Sequence, residues 1–433
     1  MEKNKLLLIF IGFVFLLSAC GTKSMSPTKS VSPGEMAPLP EDGTTEITIE
    51  VVDYSNNFYA SAAKKFEEET GIKVNVINDY DSGQSIEELI TNLDKIKAEL
   101  ISGKGADIYA GFYLDYNAIG QNKHLCNMEG WISQDPDFTT DAYYMNIIRT
   151  LAVGDEMYAF PLFFCCNTLG SRVEVPELKS QPNLNWEQFF ELTKDVKRSG
   201  VLYAFTDYDI FQRRYKDRAD DFINAENKTQ NLNSPEMIKL LEQCKEWSEQ
   251  DLCVKYSAGY QVEIFDKAFF KEYATGIEGL LNIECEPGLY YYDIPSDCSE
   301  NNKGNKIFPV NLVCINAASK YKGTAWEFAK FLLSEEIQLS GSDTPVNRKA
   351  AEKFINNRLP GLAESYGLTI DTEKTIKDTS DTLGAIGKIS NGFVSPLEKI
   401  VFDEVKRYFR SEISADAAAK NMADKMELYF KEQ

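Results

Sequence analysis

Residues 47–77 read ITIEVVDYSNNFYASAAKKFEEETGIKVNVI, and this stretch decides the fold. Ile47, Ile49 and Val51 alternate along a β-branched run from Thr45 to Val52, the pattern of a half-buried strand. Phe58, Ala62 and Phe66 then fall at helical spacing between Ser55 and Thr70, and Gly71 supplies the turn that ends the helix. Ile72–Ile77 is a second strand. Farther out, Leu89, Leu93, Ile96 and Leu100 mark an amphipathic helix over Ile86–Ile101, the SGKG run at 102–105 breaks it, and Ala106–Ala110 is a third strand. Strand, helix, strand, helix, strand predicts a parallel sheet with right-handed crossovers. The glycines at 103 and 105 follow a helix and precede a strand, the wrong context for a dinucleotide loop.

Upstream, Lys3 and Lys5 precede an apolar block from Leu6 to Leu17, followed by Ser18, Ala19, Cys20 and Gly21. A basic start, a short apolar core and small residues describe an export signal. The block is shorter than the roughly 20 residues that span about 30 Å of hydrocarbon. Leu17-Ser18-Ala19-Cys20 resembles the lipobox of bacterial lipoproteins, which implies cleavage before Cys20 and acyl chains on it that hold the protein to a membrane outside the cytoplasm. The Ser-, Pro- and Gly-rich run from Gly21 to Gly43 reads as a flexible tether, with a coil span of roughly 25 Å.

The 433 residues carry a net charge of -21 with dispersed acids, a surface that repels nucleic acid and anionic headgroups and suits a neutral or cationic ligand. The chain has nine cysteines, one histidine (His124) and no CxxC. That composition gives no metal-site pattern and no cofactor is expected. With Cys20 acylated, eight cysteines remain; the even number allows disulfides, while burial as free thiols is the reading favoured. No segment after the signal is long and apolar enough to cross a membrane.

Downstream, Met157–Phe164 is strand-like, with Pro161 at an edge or crossing point. Asn185 caps a helix that follows, and Val201–Phe205 is a strand. Helices are predicted over Ser234–Glu249, Val262–Tyr273, Thr324–Leu333, Pro396–Phe409 and Ala417–Phe430, the last capped by Ser414. Strands are predicted over Gly279–Ile283 and Phe308–Ile315.

Six of these pieces, in order, resemble the extracellular solute-binding proteins of ABC importers, the maltose-type family. They are ITIEVVDYSNNFYASAAKKFEEETGIKVNVI, SGKGADIYAG (with Ala106 where proline is usual), EMYAFPLFF, NWEQFFELTKDVK, FPVNLVCINAASKYKGTAWEFAKFLLSEEIQ and SDTPVNRKA. The resemblance implies an α/β fold of the periplasmic-binding-protein type II: two lobes, each a doubly wound sheet flanked by helices, closing about a hinge on a ligand. It implies residues 1–19 as signal, 20–44 as tether, 45–162 with 312–345 as lobe 1, and 163–311 with 346–433 as lobe 2. It also implies a monomer that hands its ligand to ABC permease subunits and breaks no bond in it.

In such sheets the ligand lies beyond the carboxyl ends of the strands. The candidate contacts are Tyr54 after the first strand, Asp79 and Asp81 after the second, Tyr113 and Asp115 after the third, Asp207 and Tyr208 in a loop after Val201–Phe205, and Glu284 after Gly279–Ile283. Carboxylates beside aromatic rings suit a sugar, accepting from hydroxyl pairs while a ring covers the C–H face. Trp131, Trp186, Trp247 and Trp326 all sit in framework contexts, which leaves tyrosine or phenylalanine to stack. Arg213, Arg214 and Arg348 could bind a carboxylate ligand, although surface or ion-pair roles fit them better. The rival readings are a clamshell sensor without transport, a binder of peptides or polyamines, and an exported glycosidase.

Overall fold

The computed structural model describes residues 43–432 except 53–55, 79–85, 112–113, 182–183, 194–201, 204–205, 226, 251–252, 255–269, 276–287, 298–306, 367–370 and 385–395. The chain opens with β1 (Glu46–Val51), α1 (Asn56–Thr70), β2 (Lys73–Asn78), α2 (Ile86–Ile101), β3 (Ile108–Ala110), α3 (Tyr116–Gln121), α4 (Glu129–Gln134) and α5 (Met145–Ile148). The long strand β4 (Phe160–Ser171) follows, then α6 (Pro176–Ser180), α7 (Trp186–Thr193), β5 (Leu202–Tyr203), α8 (Asp207–Asp217), α9 (Ala219–Phe222), β6 (Ile223–Asn224), β7 (Thr229–Gln230) and α10 (Pro235–Glu249). Next come β8 (Cys253–Val254), β9 (Lys271–Thr275), β10 (Tyr290–Tyr292), β11 (Ile307–Ile315), α11 (Lys322–Phe331), α12 (Glu335–Gln338), β12 (Thr344–Pro345), α13 (Arg348–Tyr366), α14 (Thr372–Gly384), α15 (Pro396–Phe409) and α16 (Ala415–Glu432).

The alternating apolar residues of β1 do what their spacing predicts. Ile47, Ile49 and Val51 are buried in one core together with Tyr59, Ala62, Ala63 and Phe66 of α1. On the other side of the sheet Tyr109, Leu312 and Cys314 are buried against Leu93, Ile96 and Leu100 of α2. Both sheet faces are therefore covered by helices, the arrangement a parallel sheet requires. β1 is parallel to β2 and to β3, as the strand–helix alternation predicts. The helix ends also follow the sequence. Gly71 has φ +74. At Gly105 φ is +90, and a Cβ there would lie 1.9 Å from the Tyr109 hydroxyl, which accepts the Ala106 N–H at 3.1 Å. Only glycine satisfies both the conformation and the space.

The sheet order is β10-β4-β11-β3-β1-β2, with β12 and β9 also on β4. β4 links two cores. Phe160, Leu162, Phe163 and Phe164 are buried in the core of the first lobe, whereas Leu169 is buried in a second core with Trp186, Phe189, Phe211, Tyr215 and residues of α10, α15 and α16. The strand is longer than the expected Met157–Phe164 and starts later, because β11 pairs it from Phe160 to Cys166 and β9 from Cys166 to Gly170. Pro161 lies at its start, opposite Leu312.

Two expectations are corrected. The predicted helix over Val262–Tyr273 ends in strand: Lys271–Thr275 pairs with β4, and 262–269 lie outside the described residues. The division at 345/346 also moves. Val346, Ala351, Ile355, Leu359 and Leu383 are buried in the first core, so α13 and α14 pack with lobe 1, while α15 and α16 pack with lobe 2. Apolar side chains on α13 and α14 fit against the first sheet's helices, and Arg348 ties them there: its Nε donates to the Tyr143 carbonyl at 3.3 Å and its Nη1 to the Ser380 hydroxyl at 3.2 Å.

Polar locks hold each lobe. Gln338, fully buried, donates from Nε2 to the carbonyls of Leu162 (2.9 Å) and Leu332 (3.2 Å), and its Oε1 accepts the Asn347 N–H at 3.2 Å. Gln338→Leu keeps the approximate volume and leaves these backbone groups without their partner. We expect a loss of about 1–3 kcal/mol, read from the urea midpoint at unchanged m-value. In lobe 2 buried Glu404 accepts from Arg407 at 2.8 Å, Asn421 at 3.0 Å and Lys425 at 2.6 Å. Burial by itself would raise its carboxyl, but Lys425, Asn421 and Arg407 outweigh it and hold the carboxyl below the ordinary 4.5. A depressed folded-state pKa adds stability that is present above the ordinary value and lost as pH falls through the folded value. Glu404→Gln is therefore expected to be less stable than the native chain at neutral pH, with the gap narrowing below about pH 4.5 in urea titrations.

Candidate functional site

The parallel strands of lobe 1 end together. Val51 lies opposite both Asn78 and Ala110, so β1, β2 and β3 end at one edge of the sheet. β11 runs antiparallel to β3, with Val313 opposite Ala110; its residues 307–312 thus continue beyond that edge. β4 runs beside them in the opposite sense, from Phe160 opposite Val313 to Cys166 opposite Ile307. The strand ends therefore face the direction in which this two-stranded ribbon carries the chain to the second core. That is the crevice position of an open α/β sheet.

Backbone geometry is special along the ribbon. Asn311 of β11 has φ +53, a left-handed conformation that asparagine tolerates better than most residues. Gly111, at φ +135, follows β3 and donates its N–H to the Leu312 carbonyl at 2.9 Å. Cys165 donates its thiol hydrogen to Asp343 Oδ1 at 3.1 Å. Residue patterns missed these features: Asn311 and Asp343 look ordinary in sequence, and only the fold sets Asn311 in a left-handed conformation and Asp343 beside Cys165.

Of the candidate contacts, Tyr54, Asp79, Asp81, Tyr113 and Glu284 lie outside the described residues, as does Cys20. Asp115 is at the expected edge, half-buried, and is the N-cap of α3: its Oδ1 accepts the Ala118 N–H at 3.1 Å. One carboxylate oxygen therefore fixes the helix start and the other is uncommitted by that bond.

Asp207 and Tyr208 were expected in a loop; they form the first turn of α8. Thr206 caps this helix in a reciprocal box with Asp209: the Thr206 hydroxyl accepts the Asp209 N–H at 3.2 Å and Asp209 Oδ2 accepts the Thr206 N–H at 2.8 Å. The helix starts here because the box satisfies its first donors. Tyr208 packs edge-on against Phe402, 6.0 Å between centroids, under the Lys406 ammonium, and its hydroxyl accepts from Gln212 at 3.1 Å. Burial, with Asp403 and Asp209 adding to it, pushes its phenol up to about 12, so the ring stays neutral. Among the described residues no contact joins Asp115 to Asp207 or Tyr208.

Two of the arginines considered for an anionic ligand are engaged in the fold. Arg214 is buried and pairs with Asp297 at 2.5 Å, donates to Gln243 at 3.1 Å and lies 4.8 Å from the Trp247 ring. Arg348 is held as described above and stacks 4.2 Å from the Tyr144 ring. Trp186 and Trp326 are buried, and Trp131 and Trp247 pack at the margins of the two cores, so the tryptophans serve the framework. Tyr291 and Tyr292 are buried in β10. Cys126, Cys165, Cys244 and Cys314 are free thiols; burial pushes Cys126 up to about 11 and Cys244 up to about 12, which keeps them protonated. Among the described residues no group of acids, cysteines and histidine could hold a metal ion.

Comparison with known proteins agrees with this fold. The chain has the fold of an ABC transporter solute-binding protein from Thermotoga lettingae bound with alpha-D-tagatose (TM-score 0.57, 16% identity, covering 89% of this chain and 100% of that one). It likewise matches the sugar-binding protein MalE from Xanthomonas citri (TM-score 0.62, 14% identity, 90% and 98%), and an ABC substrate-binding protein from Listeria monocytogenes in complex with cycloalternan (TM-score 0.59, 14% identity, 89% and 99%). A search of curated proteins found no match. The sequence model described as bacterial extracellular solute-binding protein matches residues 61–357, more than half of the chain, and the protein belongs to that family.

Proposed function

We propose that this chain is an ABC-importer binding protein whose solute is a neutral sugar, held between the lobes beyond the ends of β1, β2 and β3 and passed intact to permease subunits. The observation that carries the reading is the common edge of those three strands, set where β4 and β11 cross to the second core. Two further observations support a neutral ligand. Arg214 and Arg348 are committed to internal partners, which removes them as carboxylate receptors. The net charge of -21 disfavours anions. The tagatose- and cycloalternan-bound structures share the fold and raise the sugar reading above peptides or polyamines. Tyr54, Asp79, Asp81, Tyr113, Asp115, Asp207, Tyr208 and Glu284 are the proposed contacts, the acids accepting from hydroxyls and the tyrosines covering C–H faces.

The protein acts as a monomer, anchored outside the cytoplasmic membrane by acylation of Cys20. No described helix is long and apolar enough to cross a membrane. As a binding protein it performs no catalysis; its relatives in the family bind solutes.

A thermal-shift screen over sugars, peptides and polyamines tests the ligand class. A ligand at 100 times its Kd stabilises the fold by about 2.7 kcal/mol. Sugars are expected to raise the melting point, and a shift with amines alone refutes the sugar reading. Asp115→Asn keeps the helix cap, since asparagine caps as well as aspartate, but removes the charge. It is expected to weaken sugar binding roughly tenfold at unchanged melting point; unaltered affinity would confine Asp115 to capping. Cys20→Ser is expected to release the protein from membrane fractions, and retention would contradict acylation there.

A further inference from the structure

The opposite edge of the lobe 1 sheet, where β1 and β3 begin, carries a charge pattern that sugar capture does not use. Three segments are sewn together there: the turn after α2, the turn after α3, and the stretch between β11 and α11. Asn316 Nδ2 donates to the carbonyls of Lys104 (3.0 Å) and Ala106 (2.9 Å). The Ala317 N–H donates to the His124 carbonyl at 3.0 Å, and Leu125 bridges Asn316. These bonds gather Lys104, Lys123, Lys320 and Lys322 on one surface. The first three are exposed. Lys322 is half-buried, and its ammonium donates to the Ser319 carbonyl, a neutral acceptor, at 2.7 Å. Among the described residues none of the four forms an ion pair.

Nearby acids do not cancel this charge. Asp107 is spent on the Thr48 N–H (2.9 Å) and the Ser319 hydroxyl (2.6 Å), leaving Glu99 at the end of α2. Two of the large exposed hydrophobics, Ile101 at 64% and Tyr321 at 36%, flank the lysines. Unpaired lysines with an exposed aromatic and an aliphatic side chain make the composition of a surface that meets a lipid interface. The acids Glu67, Glu68 and Glu69 close α1 on the β2 side of the same edge, so the edge is bipolar. The described domain also begins on this edge: β1 runs parallel to β3, and the Asp107 N–H donates to the Thr48 carbonyl at 3.0 Å, so the tether toward Cys20 enters here.

We infer that this edge is a docking surface for anionic lipid headgroups, Lys104, Lys123, Lys320 and Lys322 facing the bilayer to which the tether leads. The inference rests on anchoring at Cys20. The lysine half is drawn to the bilayer and the glutamate half is turned away, which sets the tilt of lobe 1 between handovers to the permease and leaves the sugar edge open to arriving solute.

The protein extracted from membranes, its acylation read from intact mass, is reconstituted on phosphatidylcholine bilayers with and without phosphatidylglycerol, and neutron reflectometry measures the height of the protein layer. The layer is expected to sit lower on the anionic bilayer, and to rise again at high salt and in the triple variant Lys104→Gln, Lys123→Gln, Lys320→Gln. A height indifferent to phosphatidylglycerol overturns the inference. So does an equal rise in a control triple variant of lobe 2, Lys228→Gln, Lys239→Gln, Lys420→Gln. If the triple variant loses solute uptake in cells at unchanged height, the cluster serves a protein partner and the lipid assignment falls. If intact mass shows no acyl chain, the anchoring reading fails by itself, and cosedimentation of the same chain with phosphatidylglycerol vesicles decides the surface: the triple variant must lose roughly 100-fold in partitioning, and no loss overturns it.

Discussion

The pairing of β4 with β11 is the constraint on which the rest of the molecule depends. β4 is buried at its start in one core and near its end in another, so neither core can form its sheet without the strand that also belongs to the other. β11 pairs with the first half of β4 and, at its own far end, with β3. The two strands thereby fix where lobe 1 stops and in which direction lobe 2 lies. Any device that opens or closes the molecule works by bending a hydrogen-bonded ribbon rather than by breaking a core, which is cheap in buried area and limited in direction.

Rigidity is concentrated on either side of that ribbon. In lobe 1, Gln338 and Asn347 tie α12, β12 and β4 together through buried backbone groups. Asp107 and Asn316 do the same at the opposite edge. In lobe 2, the buried Arg214–Asp297 pair is completed by Gln243 and by Asp217, which accepts the Asp297 N–H at 2.8 Å. A buried ion pair of this kind adds little net stability compared with apolar side chains of equal volume. Its effect is to hold the 296–297 segment against α8 and α7 in a single arrangement, since removing either partner would strand a charge. Between these locked bodies, β4 and β11 carry Asn311 in a left-handed conformation and the Cys165–Asp343 contact.

The parts of this architecture legible in sequence were those set by local pattern. α2 and α15 match the expected Ile86–Ile101 and Pro396–Phe409 because an uninterrupted apolar stripe meets clear end signals. Asn185 forms the predicted cap, accepting the Gln188 N–H at 2.8 Å. Where partners distant in sequence decide, pattern fails. Lys271–Thr275 is strand because β4 offers it a free edge, although its neighbourhood has helical spacing. The start of α8 was readable in principle: Thr206 and Asp209 have the spacing of a capping box, and the strand before them drew them into a loop. Arg348–Tyr366 contains Pro360, and Thr372–Gly384 is mostly polar, so the allegiance of α13 and α14 to lobe 1 emerges only from packing. For the site, the strand ends were legible and the capping role of Asp115 was not, since a carboxylate that caps a helix and one that binds a hydroxyl are the same letter.

Net charge is likewise an average that says nothing of a single face. A total of -21 predicts repulsion from every anionic surface, and at long range it does so. Screening removes that long-range term within about 8 Å at physiological salt, after which contact is governed by the groups on the approaching face. Lys104, Lys123, Lys320 and Lys322 come from segments far apart in the chain, Asn316 and Lys104 being 212 residues apart, and become neighbours because Asn316 bonds to the 104–106 turn and its neighbour Ala317 to His124. The sequence average conceals this juxtaposition, which is produced by the same loops that close the lobe 1 sheet. Under the anchoring proposed at Cys20, the domain would be held near the membrane at high effective concentration, and weak local attraction would then suffice to choose which face turns inward even while the molecule as a whole is repelled.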